Sequence, residues 1–131
     1  MEYIKGFKYQ LNEEYVSYTG IIGYEAETTW IRLEEDGRLI LRLGYAWNGS
    51  NFVWDTKSSQ QASGEHDAFY KLMRFLLLPK SIRELADKRY KDKCIEDGMW
   101  IWRANLRYKA LIKAGSSGIL PSNRQKIYYA P

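Results

Sequence analysis

The sequence predicts an α+β fold: an N-terminal antiparallel β-sheet, with a hairpin over residues 28–43, packed with a C-terminal three-helix segment. Two observations carry this. Thr28-Thr29-Trp30-Ile31-Arg32-Leu33 and Arg38-Leu39-Ile40-Leu41-Arg42-Leu43 alternate apolar and polar residues about Glu34-Glu35-Asp36-Gly37, the pattern of two half-buried strands about a turn that needs positive φ. Beyond residue 57 the pattern changes to helical periods punctuated by Pro79, Gly98 and Gly115. At 131 residues the chain is read as one domain: 1–54 mainly β, 58–115 mainly α and 116–131 an extended tail.

Taken in order, Tyr3-Ile4, Phe7, Tyr9 and Leu11 make an aromatic-rich opening strand, and Tyr15-Val16-Ser17-Tyr18 a second. In the hairpin, Ile31 and Leu33 share one face, as do Leu39, Leu41 and Leu43, while Arg32 and Arg42 point away. Tyr45 to Lys57 has no clean period; it reads as a structured loop in which Trp47 and Trp54 either cap the core or serve a site. The first helix starts near Ser59 and stops between Arg74 and Leu78, before Pro79. The second opens on a capping box, Ser81-Ile82-Arg83-Glu84, and ends at Asp97-Gly98. The third spans about Met99 to Ala114 with an apolar stripe of Ile101, Ala104, Tyr108, Leu111 and Ile112. Ile127-Tyr128-Tyr129 in the tail suits an edge strand.

Composition narrows the function classes. The single cysteine, Cys94, excludes an intrachain disulfide and a cysteine-based zinc site, and favours a reducing compartment. Met1-Glu2-Tyr3-Ile4-Lys5 is not a signal-peptide opening, and the longest apolar run, Phe75-Leu76-Leu77-Leu78, is too short to span a bilayer. Net charge is +4, split as 5 Lys/Arg against 9 Asp/Glu through Thr56 and 15 against 7 from Lys57 onward. A basic half suits solvated helix faces, nucleic acid or anionic lipid. The 11 tyrosines, 5 tryptophans and 4 phenylalanines suit a sheet and core as well as a binding surface. Neither a glycine-rich phosphate loop nor a Gly-x-Ser-x-Gly nucleophile turn is present.

The chemistry centres on His66, the only histidine, followed at once by Asp67. Adjacent helical residues diverge by about 100°, so the two address neighbouring objects. Asp67 can hold a cation while His66 takes a proton from an attacking water. The imidazole's other nitrogen needs a carboxylate, and Asp87 on the second helix is the best candidate. Geometry sets a condition. A hairpin pivoting near Pro79 places Lys93 opposite His66 and leaves Asp87 about 9 Å away. A first helix that stops at Arg74, with 75–78 extended, moves the opposite position to about Tyr90 and brings Asp87 within a turn. The bland alternative is a helix in which His66 meets a neighbouring carboxylate or carbonyl and Asp67 is solvated.

Tyr45-Ala46-Trp47-Asn48-Gly49-Ser50, Asp55-Thr56-Lys57, Glu65-His66-Asp67-Ala68-Phe69-Tyr70, Arg83 with Ala86-Asp87, and Glu96-Asp97-Gly98-Met99 together resemble a phage and prophage family catalogued as domain of unknown function 1353, over about Thr29 to Gly115. The resemblance implies a phage-type gene product in the host cytoplasm or virion, with a phage or host protein as partner. Separately, the helical His-Asp-x-x-Tyr followed by an aspartate on the next helix is similar to the core of secreted phospholipases A2. That likeness implies His66 as base, Asp87 as orienting group, and Asp67 with carbonyls of Asn48 and Gly49 as calcium ligands. It makes Tyr70 and Tyr90 supporting residues, with Trp47 and Ser50 in the carbonyl-bearing loop, and a lipid or membrane surface the partner; Asp55 and Arg83, from the phage-family pattern, are further supporting residues. The chain departs from these patterns in lacking the bracing disulfides and in carrying Asn48 where phage relatives usually show aspartate. Three function classes stay open: a calcium-assisted ester hydrolase, a non-catalytic virion, tail or host-interaction protein, and a nucleic-acid binder.

Overall fold

The computed structural model describes residues 9–47 and 57–114. Its N-terminal part holds two antiparallel sheets. A two-stranded sheet pairs β1 (Tyr9–Gln10) with β6 (Ala46–Trp47), and a four-stranded one runs β2-β5-β4-β3. In the latter, β2 is Tyr15–Tyr18, β3 Ala26–Glu27, β4 Ile31–Leu33 and β5 Arg38–Leu41. Three helices follow: α1 (Lys57–Arg74), α2 (Ile82–Glu96) and α3 (Ile101–Ala114). The α+β order read from sequence is the observed one.

The hairpin forms in the register its alternation dictates, with Ile31 opposite Leu41 and Leu33 opposite Leu39. All four side chains are buried, whereas Arg32 and Ile40 alternate outward. Only Gly37 of the turn takes positive φ, 91°. Its amide donates to Glu34 O, and the Glu34 amide donates to Arg38 O. This makes a three-residue loop with a glycine bulge rather than a two-residue turn in which Asp36 also adopts positive φ. The strands are shorter than expected. Thr28 Oγ1 accepts from the amides of Trp30 and Ile31, turning the chain before β4. Leu43 lies beyond β5 and is exposed.

The buried face of this sheet meets Ala68, Phe69, Leu72 and Met73 of α1, and Leu78, Ile82 and Ala86 complete that core. The spacing 68, 69, 72, 73 is one face of a helix, and each fully buried Phe or Leu contributes about 1.5–3 kcal/mol. A second cluster of Ala62, Tyr90, Cys94, Met99, Ala104 and Leu111 joins α1, α2 and α3. Cys94 is therefore a packed core thiol.

How α1 ends decides the site geometry. The Leu76 amide donates to Met73 O and the Leu77 amide to Leu72 O, and Leu76 has φ 62°. That is a Schellman motif with a leucine in the left-handed position. The helix thus stops at Arg74, the earlier of the two limits, and residues 75–78 make a tight turn and not the extended run on which the early-stop geometry was conditioned. The capping box at the start of α2 does not form. Ser81 is itself helical (φ −64°, ψ −16°) and makes no side-chain cap. The first α2 amides, of Ile82 and Arg83, donate instead to the carbonyls of Pro79 and Lys80. On α3 the buried face is Ala104, Arg107 and Leu111, while Ile101 and Ile112 of the expected stripe are exposed. Arg107 takes their place because its guanidinium donates to the Tyr90 hydroxyl at 3.2 Å. The loop 48–56, residues 1–8 of the opening strand and the tail from 115 lie outside the described residues.

Candidate active site on the paired helices

With α1 stopped at Arg74, α1 and α2 lie antiparallel and His66 reaches Asp87. His66 Nε2 is 2.7 Å from Asp87 Oδ1. The Tyr70 hydroxyl, one turn along α1, donates to the same oxygen at 2.7 Å. Arg83, one turn before Asp87 on α2, sits 3.5 Å from Oδ2. Asp87 is 1% exposed and the His66 side chain 13%, so the carboxylate is sealed while the imidazole keeps an edge toward solvent. The ring is held between aromatics, 4.2 Å from Tyr70 and 5.4 Å, edge-on, from Tyr90. Burial, then the bond to Asp87, raises the Tyr70 phenol well above its ordinary range, so it remains a donor.

This arrangement fixes a protonation pattern. A carboxylate can only accept, so the neutral imidazole places its hydrogen on Nε2 and leaves a lone pair on Nδ1. Among the described residues Nδ1 has no hydrogen-bond partner. The pair has the parts of a general base: a proton acceptor, an orienting acid and a buried second layer.

Asp67 points elsewhere. Its Oδ2 lies 3.3 Å from Lys71 Nζ and its Oδ1 3.8 Å from Arg74. Lys71 Nζ also donates to Ala46 O at 2.9 Å and sits 4.8 Å over the Tyr45 ring. An ammonium thus bridges the carboxylate and a carbonyl of β6, the two kinds of oxygen a calcium ion would join. Among the described residues both Asp67 oxygens thus face cations. Asn48, Gly49, Ser50 and Asp55 lie outside the described residues.

Trp47 belongs to the framework. Its ring stacks on Tyr45 and tilts against Tyr9, and its Nε1 donates to Ser63 Oγ at 2.9 Å. The Tyr45 hydroxyl donates to Gly64 O, so β6 and its preceding turn brace α1 immediately before His66. A groove of about 350 Å³ runs past Gln60, Gln61 and Gly64 on this side; its lining includes neither His66 nor Asp67.

Sequence reasoning missed a second buried polar group. Glu65, 1% exposed, accepts from Arg89 Nε at 2.9 Å and from the Tyr15 hydroxyl. Arg89 also donates to Ser17 Oγ and Glu96. This network ties β2, α1 and α2 together beside the dyad, and removing one partner of such a buried pair costs about 3–5 kcal/mol. The bonds that join different elements link residues 24 to 72 positions apart, so no local spacing announced them. Lys71 was legible, being four residues from Asp67 on a helix.

No protein-family model, curated protein or solved structure matches the chain. The assignment of chemistry therefore rests on the geometry of the dyad.

Proposed function

We propose that the chain is a phage-type hydrolase of carboxylic esters, lipid esters foremost, in which His66 activates water and Asp87 orients the imidazole. The observation that carries this reading is the 2.7 Å contact between His66 Nε2 and a buried Asp87 that Tyr70 also holds. Nδ1 takes a proton from water as the water oxygen bonds to the ester carbonyl carbon. The tetrahedral adduct then collapses, expelling the alkoxide, which recovers that proton from the imidazolium. Asp87 stays ionised throughout and stabilises the positive ring, a contribution worth about 10²–10⁴ in rate. No step is assigned to calcium.

A second reading has its own support. His66 packed between two tyrosines and bonded to a buried acid is also a firm tie between α1 and α2, as suits a non-catalytic virion, tail or host-interaction protein. Turnover of p-nitrophenyl esters and phospholipid vesicles by the purified chain separates the two. The hydrolase reading expects activity that falls about 100-fold or more in His66→Gln and Asp87→Asn. Wild-type turnover no faster than buffer, or equal turnover in both variants, leaves the structural tie.

A further inference from the structure

The face of α3 turned away from α2 has an unusual make-up. Ala104, Arg107 and Leu111 face inward. Trp102, Leu106, Lys109 and Lys113, spaced four, three and four residues apart, share the opposite face and are all exposed. Ile101 and Ile112 flank it, also exposed, and Trp100 precedes the helix at 70% exposure, its ring 6.3 Å from that of Trp102. Leaving two indoles and three aliphatic chains in water on one short helix forgoes burial of about 1.5–3 kcal/mol each.

Charge selects what this face meets. α3 carries Arg103, Arg107, Lys109 and Lys113 and not one Asp or Glu. A second copy would set Lys109 and Lys113 against their own kind. A nucleic acid would answer the cations and stack on tryptophan, but offers nothing to Ile101, Leu106 or Ile112. An anionic bilayer answers both: acyl chains for the aliphatic groups, the headgroup layer for indoles, and lipid phosphates for the ammonium groups. Trp100, Trp102 and Arg103, with Ser58, Gly98 and Met99, also line a cleft of about 220 Å³ at the N-terminal end of α3.

We infer that the outer face of α3, centred on Trp102, Leu106, Lys109 and Lys113, docks the protein on an anionic lipid surface. The inference deepens the lipid-ester reading by naming the surface that would present its substrate, and binding alone tests it. The full chain is sedimented with vesicles of phosphatidylglycerol and, separately, of phosphatidylcholine. Binding to the first, weak binding to the second and release by salt are expected. Trp102→Ser with Leu106→Ser, and independently Lys109→Glu with Lys113→Glu, each lower partitioning about tenfold or more at unchanged thermal stability. Asp87→Asn still binds even where it hydrolyses nothing, which separates this inference from the reading of the dyad. No binding to phosphatidylglycerol, or binding unchanged in both paired variants, overturns it. So does loss of a single-stranded oligonucleotide with vesicle binding unchanged, or an α3-dependent dimer in gel filtration.

Discussion

Leu76 and Gly98 occupy the same position at the ends of successive helices. Each sits past the last turn with positive φ, 62° and 102°, and each is followed by an amide that reaches back to the carbonyl five residues earlier. Glycine takes this conformation freely, whereas a residue with a Cβ does so at a cost of about 1–2 kcal/mol. Leu76 is 71% exposed, so little burial offsets the strain. Leu76→Gly should stabilise the protein by about 0.5–1 kcal/mol, read as a higher urea midpoint at unchanged m. A loss of stability would mean that the leucine side chain is held by contacts its exposure does not suggest.

Gly64 presents the opposite case, a glycine inside a helix where alanine is intrinsically better by about 1 kcal/mol. A Cβ there would stand 3.2 Å from Trp47 Cε2. Trp47 cannot retreat, since Tyr45 and Tyr9 pack on its ring and Ser63 holds its indole nitrogen. Gly64→Ala should therefore destabilise by about 1 kcal/mol despite its propensity gain. Chemical denaturation gives the sign and the near-ultraviolet circular dichroism of the indole reports the displaced ring.

Calcium supplies a third test. Because Lys71 bridges Asp67 and Ala46 O, millimolar calcium should leave the melting temperature of the wild-type chain within error. Lys71→Met removes that ammonium, and a calcium-dependent rise in melting temperature should then appear and vanish again in Lys71→Met with Asp67→Asn. A rise in the wild type would show that the ion binds despite the lysine.

Alkaline pH should unfold the protein through its buried phenols. Burial is the first cause of the raised values at Tyr15, Tyr45 and Tyr70, reinforced by Glu65, Asp67 and Asp87 respectively. Each folded phenol holds its proton beyond the pH near 10 at which the unfolded one releases it. The unfolded state then binds fewer protons, so stability is intact below pH 10 and falls as pH rises above it. Tyr70→Phe should flatten that decline while costing about 1 kcal/mol at neutral pH from the lost bond to Asp87. An unchanged slope in the variant would count against Tyr70 being sealed.

The hairpin was legible because its information is local: alternation on both arms and a glycine where positive φ is required. The contact between His66 and Asp87 was legible once α1 was allowed to stop at Arg74, since helix rise then brings Asp87 within a turn of His66. What the sequence hid is non-local or conformational. Leu76 gives no sign of a left-handed residue, and Ser81 with Glu84 spells a cap that the turn after Pro79 supplants. Arg107 was absent from the expected stripe because its partner Tyr90 lies on another helix. The Glu65–Arg89 network joins three elements that only folding brings together.

Since His66 is the only histidine, the nitrogen resonances of one imidazole report the central geometry without ambiguity. In the neutral form the ring should carry its hydrogen on Nε2, bonded to Asp87, with Nδ1 unprotonated, and Asp87→Asn should abolish that preference. A ring with its hydrogen on Nδ1, or one whose tautomer ignores the Asp87 substitution, would contradict the dyad and the chemistry proposed for it.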